Sequence, residues 1–458
     1  MSSNDISFAR GNIGKLLFKL SVPIIISMLV SELYNMVDTM FIGNYVNPNG
    51  IGALVIVFPI QRIIIALSMM IGIGTSTAFS RARGANDLEK ARDTITNGFT
   101  LVLIVMVPLM LLIYFNAEPL LYRLGASGEI LEYAIEYLTV IIFGSIFLSW
   151  TVFTSNLMIS MGKSQISIIS TSIGAIMNVI IDYILVKHFN WGVRGAAIAT
   201  TVSQIVGFMY AYYHLSKLKN ELGVKKGFGI SKAIIATILA VGVSAFIVEA
   251  EDGILMAVLN NLLRTYVNNE SIIVLGVISK VYMFLFVTLF GISSGMQPIV
   301  AYNYGAKNYR RLAKVLKKTT IYATMTTLIL WALNMIFAPY IMPIFMSDGH
   351  TEIITASTKA FRIIISLFPL VSVYYISIFY FQALGKAKQS VVISILRQVV
   401  LMIPISVVLV KYFDMGAMGV WLSYPIADVI VAVISFFLLA GQSKKLKLRI
   451  KETEDQFI

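Results

Sequence analysis

The chain has 458 residues, of which 58% are hydrophobic and 13% charged, with a net charge of +13 and no cysteine. Soluble domains carry about 25% charged residues, so a soluble globular protein is excluded, and the missing cysteine removes disulfide and thiol chemistry. Apolar runs of about twenty residues recur along the whole length, too long for the strands of a membrane barrel, which makes this an all-α membrane protein.

In chain order, hydropathy predicts twelve spans: 16–42, 51–80, 94–115, 133–160, 164–187, 193–215, 232–262, 271–302, 319–342, 360–384, 389–411 and 416–440. The N-terminal stretch runs past Pro23 into the first span without a small-residue cleavage site, so no cleaved leader is expected. Span one reads "MLVSELYNMVDTMFIG" and places Glu32, Asn35 and Asp38 three apart on a slowly drifting helical stripe. Carboxylates at mid-bilayer cost about 2.5–3.5 kcal/mol on insertion scales, so they need partners or a function. Pro23 leaves an upstream carbonyl without its helical donor and permits a bend.

Span five, "IGAIMNVIIDYILV", carries Asn178 and Asp182 four apart on one face. Span six opens with "GAAIATTVSQ", whose small residues allow close helix approach and whose Thr200 and Thr201 supply hydroxyls. Asp38, Asn178, Asp182 and a threonine together make an oxygen-rich site that could hold Na⁺, or carry a proton on a desolvated carboxyl. A purely structural hydrogen-bond network joining spans one, five and six is the alternative.

Span seven contains "AFIVEAEDGILMAV", with Glu249, Glu251 and Asp252 before Gly253. Glu249 and Asp252 share a helical face, whereas Glu251 lies nearly opposite Glu249, so the three meet in one cleft only if the helix breaks, as Gly253 permits. Either Glu251 or the Glu249–Asp252 pair is therefore expected to face a substrate cavity, and the remainder to pair with Lys280 or Arg397. Glu32, Asn35, Gln297 in "GISSGMQPIV" and Asp428 in span twelve complete the expected cavity set. Arg62, Lys280 and Arg397 are the basic residues inside spans, read first as charge partners of these acids. The methionines and aromatics of "VYMFLFVTLF" and "VYYISIFYF" mostly pack, and some could line an adaptable cavity.

With the N-terminus inside, 26 of the 36 Lys and Arg fall on inner segments and seven on outer ones. That bias follows the positive-inside rule, so both termini are expected in the cytoplasm. The charge is topological: acidic lipid headgroups are the expected neighbours, and nucleic acid is not. His188, His214 and His350 are scattered, so no metal centre is expected beyond Na⁺ at Asp38, Asn178 and Asp182. No phosphate-binding loop, catalytic cluster or soluble nucleotide domain is present in the sequence, so no enzyme and no cofactor is expected.

The chain also repeats itself. "GTSTAFSRARGANDLEKA" matches "GMQPIVAYNYGAKNYRRLA" at an offset of 221, "LMISMGKSQIS" matches "YFQALGKAKQS" at 223, and "VKHFNWGVRGAAI" matches "VKYFDMGAMGVWL" at 224. Two six-helix lobes follow, 10–215 and 229–440, with a linker at 216–228 and a basic tail at 441–458. An even number of spans per half gives both the same orientation, pseudo-symmetric about an axis along the membrane normal, with a central cleft for substrate. In this register Pro23 aligns with Gly242, and Glu251 falls opposite Glu32.

The segments "LSVPIIISMLVSELYNMVDTMFIG", "SRARGANDLEKA", "NVIIDYILV…WGVRGAAIATTVSQ" and "GISSGMQPIVAYNYGAKN" resemble the multidrug and toxic compound extrusion (MATE) family, and its MepA-like bacterial branch in particular. The resemblance implies twelve helices in two lobes and export of organic cations and drugs in exchange for Na⁺ or H⁺ across the bacterial cytoplasmic membrane. It places the cation-coupling site on Asp38, Asn178, Asp182 and Thr200, and helix bending on Pro23. Branches that use second-lobe carboxylates place them on spans seven and ten, and span ten here has none. The expectation is an ion-coupled drug antiporter acting as a monomer. A flippase of lipid-linked anionic sugars would need a basic cavity, and intramembrane acids outnumber bases here. A non-transporting scaffold or receptor predicts no ion-coupled flux at all.

Overall fold

The computed structural model describes residues 3–46, 48–224, 227–345 and 351–455. His350 and the linker lysines Lys225 and Lys226 lie outside them. The described residues are almost wholly helical. In order the α-helices are α1 (Ser3–Arg10), α2 (Ile13–Tyr45), α3 (Pro48–Gly84), α4 (Leu88–Phe115), α5 (Ala117–Arg123), α6 (Gly128–Ser160), α7 (Gln165–Asp182), α8 (Gly192–Leu222) and α9 (Lys232–Tyr266). There follow α10 (Asn269–Gly305), α11 (Tyr309–Ile341), α12 (Thr351–Ile364), α13 (Phe368–Ala383), α14 (Ala387–Ile395), α15 (Ile403–Lys411) and α16 (Ala417–Asp455).

Among the described residues, ten helices are long and apolar enough to cross a membrane, and α12 with α13 makes an eleventh as a pair bent by 54°. The predicted span six, α8, is the twelfth and is less apolar, because "TTVSQ" and the polar end after Tyr213 dilute it. The α12–α13 bend falls where Pro369 opens α13, since proline cannot donate to the preceding turn.

Two helices widen into π turns inside their spans. Tyr183–His188 continues α7, and Leu396–Met402 joins α14 to α15. The second has a local cause: Pro404 follows directly in α15 and removes a backbone donor, so the turn before it re-forms with wider spacing. Both lie on equivalent spans of the sequence repeat, five and eleven.

By packing, the chain forms two units, Val22–Glu249 and, separately, the residues up to Ser21 together with those from Ala250 onward. These boundaries differ from the repeat halves because the first span of each repeat divides its packing. In the Val22–Glu249 unit α6 is central, packed against α3 and α8, with α7 on α8. Its core holds Phe79, Phe153, Leu157 and Val102, all buried. Trp150 stacks between Phe99 and Phe208 at 5.1 and 5.2 Å. The first part of α9 crosses α3 with almost no room for side chains: a Cβ on Gly74 would meet the Ile238 carbonyl oxygen, and one on Gly242 the Met70 carbonyl oxygen.

In the other unit α10, α11, α13 and α16 pack about Tyr374, Phe379 and Tyr380. Gly295, the repeat partner of Gly74, lies where a Cβ would meet Ser21. The end of α1 is held there as well. Arg311 donates to the carbonyls of Phe8 and Gly11 at 2.7 Å each, the complement a helix C-terminus favours. Phe8 is buried beside Tyr302, with ring centres 5.7 Å apart.

Candidate functional site: a buried carboxylate pair

Within Val22–Glu249, three helices bring the predicted coupling residues together. Asp38 of α2 is 5% exposed, and Asn178 and Asp182 of α7 are fully buried, with Thr200 of α8 close behind at 4%. The four-residue spacing of Asn178 and Asp182 puts both on the face of α7 that packs on α8. Small residues at Gly195, Ala196, Ala197 and Ala199 let α8 approach closely enough for Asn178 Nδ2 to donate to Thr200 Oγ1 at 3.3 Å. Asp182 is the last α-helical residue before the π turn, a place where helix geometry is often adapted to function.

The Asp38 and Asp182 carboxyls face each other within hydrogen-bonding reach. The Tyr137 hydroxyl donates to Asp38 Oδ2 at 3.4 Å, and also lies beside Thr200 and Gln61. Asp38 Oδ1, Asn178 Oδ1 and both Asp182 oxygens are buried with no hydrogen-bond donor among the described residues. Four orphaned acceptors around two carboxyls are costly in a dry interior. A cation or a shared proton resolves that cost, because each supplies the positive partner that the acceptors lack. The donor set is all oxygen, two carboxyls with an amide and a hydroxyl, which suits a hard monovalent cation or a proton. No group of three or more His, Cys, Asp or Glu able to hold a metal occurs among the described residues.

Tyr137 is the member that sequence reasoning missed. It stands in "EYAIEYLTVIIFG", a mostly apolar stretch in which only the rule that a buried hydroxyl needs a partner could have marked it. Thr201 faces elsewhere and donates to the Val140 carbonyl at 3.3 Å. Glu32 and Arg62 form a half-exposed ion pair at 3.5 Å, and Asn35 is exposed. Pro23 sits inside an unbroken α2, one residue after the packing boundary at Ser21–Val22.

In the unit from Ala250 onward the acids are arranged differently from the expectation. The helix α9 runs unbroken through Gly253. The continuous helix turns Glu251 inward to 1% exposure and leaves Asp252 exposed, while Glu249 is half-buried. Glu251 Oε1 accepts from the Tyr374 hydroxyl at 3.3 Å and from Gln398 Nε2 at 3.2 Å. The same Gln398 nitrogen donates to Asp252 Oδ1 at 2.7 Å. Arg397 directs its hydrogen bonds to Asp428 at 2.8 Å and to the Tyr282 oxygen at 2.9 Å, not to the span-seven acids. Arg397 and Gln398 follow each other on the π turn and reach different helices, α16 and α9. Lys280 is exposed. Gln297 is buried and donates to Gln382 at 2.5 Å. Tyr282, Tyr374 and Gln398 were not singled out in the sequence, where the two tyrosines stood inside aromatic runs read as packing.

The MatE family matches residues 23–184 and 254–408, more than half of the chain and both repeats. The multidrug export protein MepA of Staphylococcus saprophyticus is 26% identical over 437 residues, covering 94% of this chain and 94% of that protein. A solved structure described as the outward-facing conformation of a multidrug resistance MATE family transporter of the MOP superfamily is similar at a TM-score of 0.91 and 26% identity, over 98% of this chain and 99% of that one. A MOP superfamily transporter from Pyrococcus furiosus, whose binding pocket is described as reversed in polarity, is similar to the same degree, at a TM-score of 0.91 and 26% identity over 98% and 99% of the two chains. With the family match spanning both repeats and a solved MATE structure aligning over 98% of the chain, this chain is a multi-pass membrane transporter that belongs to the MATE family.

Proposed function

We propose that this transporter exports lipophilic organic cations by antiport with H⁺ or Na⁺, alternating access between two lobes, with Asp38, Asn178, Asp182 and Thr200 as the coupling site. The observation that carries the reading is the Asp38–Asp182 pair, buried with orphaned acceptor oxygens and, among the described residues, no basic side chain bonded to it. Such a site is stable only when a proton or cation joins it, so its occupancy can be tied to conformation. The export proteins that the chain is similar to support drugs as the cargo.

The acidic bias of the remaining intramembrane groups supports cationic cargo over anionic. Arg397 is bonded to Asp428 and Arg62 to Glu32, which leaves little uncompensated positive charge for an anionic lipid-linked sugar. Of the span-seven acids, Asp252, exposed on the continuous α9, remains the proposed attractant for a cationic substrate. Both termini are read as cytoplasmic, and the protein as a monomer in the bacterial cytoplasmic membrane.

The test is efflux of a cationic dye from proteoliposomes under separately imposed proton and sodium gradients. Efflux driven by one of these gradients, and lost in Asp38→Asn and Asp182→Asn, is the expected result. Wild-type rates in either variant would sink the coupling assignment, and dye flux that ignores both gradients would sink antiport.

A further inference from the structure

Glu32 and Glu251 stand at equivalent positions of the repeat and are held in opposite ways. Glu251 is 1% exposed and accepts from Tyr374 and Gln398, so a solute has no access to it. Glu32 stays open. Its side chain is 26% exposed, and that of its α3 partner Arg62 is 35% exposed. Charged groups left open within a span face a wet cavity rather than lipid. Asn35, three residues on from Glu32, is exposed as well and extends the polar face of α2.

The Glu32–Arg62 pair is loose. Arg62 Nη2 reaches Glu32 Oε1 at 3.5 Å, whereas a charge-assisted hydrogen bond is about 2.7–2.9 Å long. Arg62 makes no other hydrogen bond or ion pair among the described residues, so the two-pronged grip open to a guanidinium is unused. Instead the guanidinium lies over the Phe58 ring, 4.9 Å from its centre and one helical turn back on α3. Arg62 is thus a delocalised cation resting between a carboxylate and an aromatic face. Those are the two partners that a lipophilic organic cation needs.

The apolar part of such a ligand is provided for nearby. Val55 and Phe58, on the same α3 stripe as Arg62, are 65% and 48% exposed. Met36, one turn beyond Glu32, is 41% exposed and has the adaptable side chain that suits varied ligands. Asp38 lies six residues beyond Glu32, about 120° around α2, so this face is separate from the carboxylate pair. We propose that Glu32 and Phe58 form a subsite for the charged end of a lipophilic cation, with Arg62 as its tethered occupant. Cargo displaces the arginine, and the arginine returns as cargo leaves. The subsite rests on the proposed cationic cargo. A half-exposed ion pair contributes little stability, so Arg62 yields easily, and its return spares Glu32 an unpaired charge within the span.

Equilibrium binding of ethidium to the full-length protein in non-ionic detergent, read by fluorescence anisotropy, tests this. Arg62→Ala should bind the dye about fivefold more tightly than the wild type, and Glu32→Gln about tenfold more weakly. In the Glu32→Gln background, Arg62→Ala should change the affinity by less than about twofold. An equal gain in both backgrounds would mean that the arginine merely repels the dye, and no gain from Arg62→Ala alone would mean that it does not occupy the site. Either result overturns the proposal. A second readout follows the arginine in the wild type, whatever the variants do to folding. Ethidium should increase modification of Arg62 by phenylglyoxal, scored by peptide mass spectrometry, and protection of Arg62 overturns displacement. Neither measurement uses an ion gradient, so a failure of antiport leaves the subsite standing. Wild-type protein that binds no ethidium removes the cationic cargo and the subsite together.

Discussion

At the scale of single residues, the two buried acidic centres are stabilised in opposite ways. Asp38 and Asp182 face each other with orphaned oxygens, while Asp428 is matched by Arg397 at 2.8 Å with both side chains almost fully buried. The first arrangement has no cationic partner among the described residues, and the second has its own. Neutralising either carboxylate of the first centre should therefore cost transport without costing the fold. Asp38→Asn or Asp182→Asn is expected to lower gradient-driven efflux by at least about tenfold at unchanged unfolding temperature. The second centre predicts the reverse. Removing one partner of a buried pair leaves a stranded charge and typically costs about 3–5 kcal/mol, whereas replacing both by apolar groups is often neutral. Arg397→Met should lower the unfolding temperature in detergent, and the double variant Arg397→Met, Asp428→Leu should recover at least half of that loss. A double variant as unstable as the single one would show that the pair is not what the arginine serves.

At the scale of elements, glycines separate into those that a neighbour requires and those that nothing touches. At the α3–α9 crossing the backbones approach so closely that Gly74 and Gly242 have no space for a Cβ. Overpacking of that kind costs about 1–3 kcal/mol or more, so Gly74→Val is expected to lower the unfolding temperature. Gly253 has nothing within 4 Å of a built Cβ and sits in the middle of a continuous helix. Gly253→Ala should leave stability unchanged or raise it by up to about 1 kcal/mol, since alanine is the better helix former. A marked loss on Gly253→Ala would mean that the helix must break there, as the sequence alone suggests. The π turn at Leu396–Met402 is the other element of consequence. On it Arg397 and Gln398, adjacent in sequence, serve α16 and α9.

At the scale of the whole molecule, the charge bias between loops makes a topological prediction. The chain has no cysteine, so single introduced cysteines report orientation without background. Ser127 and Lys447 are both exposed. A membrane-impermeant maleimide should label Ser127→Cys in intact cells and Lys447→Cys only after lysis. The opposite pattern would reverse the orientation.

Composition, length of the apolar runs and the three repeat matches were enough to read the fold, because a bilayer allows few solutions to an apolar chain and helices are the one that fits these lengths. The carboxylate pair was legible for a similar reason: acids are so costly in a span that Asp38, Asn178 and Asp182 stand out at helical spacing. Tyr137 did not stand out, since a tyrosine among apolar residues reads as packing until its hydroxyl is seen to find Asp38. Nor could spacing alone assign Glu249, Glu251 and Asp252, because helical phase ranks faces but does not say which neighbour lies on each. That was decided by packing across long sequence separations. Arg397 chose Asp428, and Gln398 chose both Glu251 and Asp252. Local sequence determines which groups must be paired, and only the tertiary structure determines with what, because the partners come from helices that the chain order does not bring together.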